Sequence, residues 1–125
     1  MKPDWREATE NGDCERVLAL LTESADIDSL DGHGQTALIN AVYRGDIDLV
    51  QLLVEHGAGL NHSAKYHLTA LMLAVVNRKT EIVRILMETG ANADLSGTEP
   101  FDCTPLKYAE EHGYDEIAAT LREHT

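Results

Sequence analysis

The sequence predicts an all-α fold in which short helix pairs stack side by side as a solenoid. Three observations carry that expectation. A Thr-x-Leu tripeptide returns at a fixed interval, as Thr36-Ala37-Leu38, Thr69-Ala70-Leu71 and Thr104-Pro105-Leu106, with offsets of 33 and 35. Ala8, Ala41, Ala74 and Ala109 keep the same interval, as do Leu20, Leu53, Leu86 and Leu121. Aromatic content is only 5%, so the core must be aliphatic, which suits packed helices better than strands.

One copy of the repeat shows how each element forms. Thr36 is placed to cap a helix by accepting from a backbone N–H two or three residues on. Leu38, Ala41 and Val42 then make a narrow apolar stripe at helical spacing. Gly45 ends this inner helix, since glycine takes the left-handed conformation that other residues avoid. Asp46 opens the outer helix, where an acid favours the dipole. Leu49, Val50, Leu53 and Val54 form its buried face, and Gly57 closes it. The residues up to the next Thr form a loop that reverses the chain.

A helix pair this small leaves its apolar faces uncovered, and stacked copies cover one another. Four copies fill the chain, at about 1–30, 31–63, 64–98 and 99–125, as a single domain over 1–125. The end copies are atypical, as caps are. The first has Pro3-Asp4-Trp5 where Thr-x-Leu stands elsewhere, so Trp5 is expected to seal one end of the core. The last helix is diluted by Ala118, Ala119 and Thr120. In the third copy Arg78 stands where Gly12, Gly45 and Gly113 stand in the others. A non-glycine residue at positive φ costs on the order of 1 kcal/mol, so either the hinge moves to Asn77 or the site is strained. "LSGTEPFD" carries a two-residue insertion before Thr104.

Period, motif and hinge together resemble the ankyrin repeat family, whose unit of about 33 residues runs D-x-x-G-x-T-P-L-H-x-A, a Gly hinge, then L-L-x-x-G-A-D. "DGHGQTALINA" at 31–41 and "LLVEHGA" at 52–58 are the best local copies, and the similarity spans roughly residues 5 to 124. It implies β-hairpin-like loops, two antiparallel helices per copy and a concave face. The motif's His is replaced by Ile39, Met72 and Lys107, and "AKYHLT" lacks the expected Asp and Gly.

Composition narrows the function. A net charge of −12 disfavours nucleic acid and anionic lipid, and only Arg78 and Lys79 are adjacent among the basic residues. The N-terminus has no signal-peptide core, and no apolar run approaches the ~20 residues of a membrane span. Two cysteines without an export signal point to a reducing compartment, so a cytoplasmic monomer is expected. CxxC, HExxH, P-loop, GxSxG and GxGxxG are all missing, so no enzyme activity and no cofactor are expected. His33 and His67, on neighbouring loops, with Cys103 form at most a weak metal set. Cys14 is expected in the core. Asp48, Glu55, Glu81, Glu88, Asp115, Glu116 and Glu123 are expected on the solvated backs of outer helices.

The resemblance implies partner contacts at the loop tips and on the inner helices. At the tips these are His33, Gln35, Lys65, Tyr66, Leu68 and Phe101. On the inner helices they are Tyr43, Arg44, Val76, Asn77, Glu111 and His112, with Glu10 facing the same groove. His33, Tyr66 and Phe101 are in phase and all carry rings, and rings and Arg dominate interface hot spots. Tyr66→Ala and Phe101→Ala are expected to leave stability largely intact. The functional expectation is a non-catalytic module or adaptor that binds a protein partner. The alternative is an acidic inhibitor or immunity-type protein that blocks a basic enzyme or toxin.

Overall fold

The computed structural model describes residues 1–124, with Lys65 described by its backbone alone. Eight α-helices follow in order: α1 (Pro3–Glu10), α2 (Cys14–Thr22), α3 (Ala37–Arg44), α4 (Ile47–Glu55), α5 (Ala70–Val76), α6 (Thr80–Thr89), α7 (Pro105–Glu111) and α8 (Asp115–Glu123). A single 3-10 turn lies at Lys65–His67, and among the described residues one isolated antiparallel bridge, Ser63 to Thr69, stands in place of strands. The chain forms two compact units, one over Met1–Gly59 and one from Leu60 onward.

In the first unit, α1 pairs with α2 and α3 with α4. Trp5 and Leu38 fill equivalent core positions, as do Ala8 with Ala41 and Val17 with Val50, and all six are buried. Thr9 occupies the position of Val42, and its buried hydroxyl donates to the Trp5 and Arg6 carbonyls at 2.9 and 3.1 Å. Both hinges use glycine, with φ of 65° at Gly12 and 74° at Gly45. Both outer helices are capped by aspartate: Asp13 accepts from the Arg16 N–H and Asp46 from the Leu49 N–H, each at 3.2 Å. Such a cap contributes ~1 kcal/mol.

The second unit pairs α5 with α6 and α7 with α8. Leu71, Ala74, Val83 and Leu86 are buried, as are Ala109, Ala118 and Leu121. Its inner helices start on threonine, as α3 does: Thr36, Thr69 and Thr104 each accept from the N–H three residues on, at 3.3 Å. Its outer helices are less well terminated. Lys79 and Tyr114 sit at the positions of Asp13 and Asp46 and supply no side-chain cap. The hinge stays at Arg78, with φ 59°, while Asn77 remains right-handed at φ −92°. Of the two outcomes open from the sequence, the structure takes the strained one.

The acids Asp48, Glu55, Glu81, Glu88, Asp115, Glu116 and Glu123 are exposed on the outer helices. Cys14 departs from expectation. It is half-buried rather than a core residue, as Ile47, which opens the next outer helix in phase with it, is 43% exposed.

Candidate functional site

The loop before α3 is held by one carboxylate. Asp31 Oδ1 accepts from the backbone N–H groups of His33 at 2.8 Å and Gln35 at 3.0 Å. Its Oδ2 accepts from the Asn40 amide at 2.9 Å, and the backbone closes a hairpin from Asp31 N–H to the Gln35 carbonyl at 2.9 Å. Gly34 supplies the left-handed turn, with φ 73°. Burial pushes the Asp31 carboxyl up. Hydrogen bonds from Asn40, Gln35 and His33, with the His33 ring charge, outweigh that and hold it below the usual carboxylate range.

A groove opens beside this hairpin, lined by Glu10 at the end of α1, by Asp31 and Gln35, and by Asn40, Tyr43 and Arg44 of α3. Three expected partner residues, Gln35, Tyr43 and Arg44, therefore come together with Glu10. Tyr43 is 68% exposed. Arg44 is fixed by its guanidinium, which donates to the Thr9 carbonyl at 2.6 Å. His33 stands exposed at the hairpin tip. Asp31 and Asn40 were not among the expected contacts, although the Asp of the repeat motif marks Asp31.

The second unit disposes its rings differently. Tyr66 and Phe101 meet edge to face with centroids 5.7 Å apart, and Phe101 lies 6.1 Å from Tyr108. Tyr108 stacks on His112 at 4.0 Å, Tyr114 lies 6.2 Å from Tyr108, and the Arg78 guanidinium sits 4.9 Å over the Tyr114 ring. The loop beneath is tightly closed. The Thr98 N–H donates to the Tyr66 carbonyl at 2.7 Å. A Cβ added at Gly97 would lie 2.8 Å from that carbonyl oxygen and 2.9 Å from that of Phe101.

Several expected contacts change role. Leu68 is buried, 6% exposed, and lies against Gly97, so it packs the loop and offers no surface to a partner. The left-handed residues Tyr66 and His67 turn the chain before it, and the Ala64 N–H donates to the Leu68 carbonyl at 2.8 Å. Phe101 is half-buried between two rings, and Val76 is half-buried at the end of α5. Asn77 is exposed and donates its amide to the Leu73 carbonyl at 3.0 Å. Glu111 pairs with Lys107 at 3.8 Å. His112, besides stacking on Tyr108, is bonded through Nδ1 to the Tyr108 carbonyl at 2.9 Å. The Lys65 side chain lies outside the described residues. Tyr108 and Tyr114 did not stand out in the sequence, because neither falls on a position that is aromatic in other copies.

Nucleophile chemistry finds little support in the thiols. Burial raises the Cys14 thiol, with Asp46, Asp48 and Asp13 adding to the effect. Burial also raises Cys103, with Glu111 and Asp102 outweighing Lys107. Both thiols are thus biased away from the reactive thiolate. Among the described residues, no three His, Cys, Asp or Glu side chains gather closely enough to hold a metal ion. No helix among these residues is long and apolar enough to cross a membrane.

Comparison with known proteins agrees with this architecture. The family model for ankyrin repeats (3 copies) matches residues 6–97 and 68–125. None of the curated proteins matches the chain. Among solved structures, an ankyrin repeat domain from Acinetobacter baumannii AYE is 32% identical with a TM-score of 0.84, over 94% of this chain and 62% of that one. The chain thus spans less than two thirds of that relative's length. Ankyrin repeats in general are protein–protein interaction modules and typically lack catalysis. With its all-α helix pairs, threonine caps and left-handed hinges, the chain belongs to the ankyrin repeat family.

Proposed function

We propose that this protein is a non-catalytic binding module that recognises a protein partner through the hairpin tip and inner-helix surface of its first unit. The observation that carries this reading is Tyr43: a large ring, 68% exposed, on a helix whose other face is fully committed to the core. Aromatic side chains of this kind bring much contact area at little cost in ordering, and they recur as interface anchors. Arg44 and the Asp31 hairpin are fixed before any partner arrives, which lowers the ordering cost of association. His33 and Gln35 extend the surface at the tip. In the second unit Tyr66, Phe101, Asn77, Glu111 and His112 form a further candidate surface, in which Tyr66 is 41% exposed.

The test is capture of partners by the full chain, followed by mass spectrometry, in parallel with Tyr43→Ala and with a Tyr66→Ala/Phe101→Ala double variant. Loss of the same proteins from the Tyr43→Ala sample, with unchanged circular dichroism, supports the reading. Identical capture by all three proteins rejects it. Insensitivity of that capture to salt also separates a partner held by shape from the blocking of a basic enzyme, whose affinity would fall steeply as charges are screened.

A further inference from the structure

We infer that the groove beside α3 receives a single arginine side chain of the partner, a specificity that rests on the binding reading above. Two of the charged groups in the groove are already engaged. Asp31 already accepts three hydrogen bonds, from Asn40, His33 and Gln35, and Arg44 is held on the Thr9 carbonyl. Among the described residues, the Glu10 carboxylate, the Gln35 side-chain amide and the Tyr43 ring have no such partner. An open acceptor, an open amide and an open aromatic face therefore line one groove.

Charge selects the ligand's sign. Glu10 and Asp31 contribute two negative charges and Arg44 one positive, so the groove carries a net charge of −1 by the arithmetic −2 + 1. That accommodates one cation and not a polybasic run, on a chain whose overall charge of −12 draws cations toward it. The kinds of group in the groove favour guanidinium over ammonium. A planar guanidinium stacks on an aromatic face while its forked N–H groups meet a carboxylate, here Glu10, and an amide oxygen, here that of Gln35. A lysine ammonium is a compact, strongly hydrated charge and gains less from a flat ring.

The experiment is an amide-detected NMR titration of the full chain with N-acetyl-arginine methylamide. The neutral isostere N-acetyl-citrulline methylamide and the lysine analogue serve as controls. Shifts should centre on Glu10, Gln35, Asn40 and Tyr43 with the arginine probe, and be about threefold smaller at equal concentration with either control. Glu10→Gln should reduce the arginine response by about the same factor, and Tyr43→Leu likewise. An equal response to citrulline, shifts centred elsewhere, no response to arginine, or a response unaltered in Glu10→Gln would each overturn the inference. Partner capture that is lost in Tyr43→Ala but indifferent to Glu10→Gln would uphold the binding module while rejecting arginine as its ligand.

Discussion

The two units hold their aromatic residues in opposite ways. In the first, Tyr43 projects beside a groove with no ring against it, while the loop next to it is tied down by one carboxylate. In the second, Tyr66, Phe101, Tyr108, His112 and Tyr114 run from one ring to the next, and the loop is closed by Gly97 against backbone oxygens. The residue count favours the second unit as a binding surface, but the state of the rings favours the first. A ring already stacked on its neighbour must give up that contact, or some of it, to meet a partner. A lone exposed ring surrenders only water, which is why the proposed function takes the solitary tyrosine as its anchor.

The sharpest way to break this comparison is at the paired positions 35 and 68. Leu68→Ala should destabilise by about 2–4 kcal/mol, since a buried leucine is removed. Gln35→Ala, at a half-buried polar site, should change stability by less than about 0.5 kcal/mol in the same urea titration. Equal effects would mean the two loops are built alike. Phe101→Ala comes next. Because Phe101 bridges two rings, its loss should cost about 1–3 kcal/mol, with a matching fall in denaturation midpoint. This differs from the expectation from sequence, that removing the ring weakens partner binding with little effect on stability.

Asp31 gives a pH-dependent contrast. Its carboxyl is held below the ordinary range in the folded state, so the stability it contributes is present above the unfolded carboxyl's pKa. That stability disappears as pH falls through the lowered folded value. Asp31→Ala should cost about 1–3 kcal/mol at neutral pH through the donors left unpaired. The difference between variant and parent should shrink in acid, as followed by urea titrations at several pH values. A gap that stays constant would show that the carboxylate does not hold the hairpin in its ionised form. Smaller still is Gly34→Ala. Nothing lies within 4 Å of the added Cβ, so only the positive φ of 73° is penalised. The cost should be about 1 kcal/mol, whereas His67 already occupies the matching position at φ 56°.

Much of the fold was legible because it is written locally and repeated. Threonine caps, aspartate caps and glycine hinges act within three or four residues of themselves, and a 33-residue interval exposes them by superposition. The left-handed Arg78 was legible as a conflict, though not its resolution. The site was less so. Tyr43, Arg44, Gln35 and Glu10 were placed by phase alone and share one groove. Leu68 was misread because phase gives a position and not a direction, and Ala64 has replaced the aspartate that shapes the first hairpin. The ring ladder was hidden for a different reason. Phe101 meets Tyr108 from the inserted segment, where Gly97 packs against two carbonyls, and the other copies have no such insertion to foreshadow it. Cys14 fell outside the core because the opening residue of an outer helix faces outward in this repeat, as Ile47 does at 43% exposed.

The most direct measurement is calorimetric titration of a captured partner into the parent protein and into Tyr43→Ala, beside thermal melts of both. Since the ring is 68% exposed, its removal should leave stability within about 0.5 kcal/mol of the parent. Affinity should fall at least about tenfold, the loss of a hot-spot residue. Undiminished affinity in a Tyr43→Ala protein that melts like its parent would contradict the account.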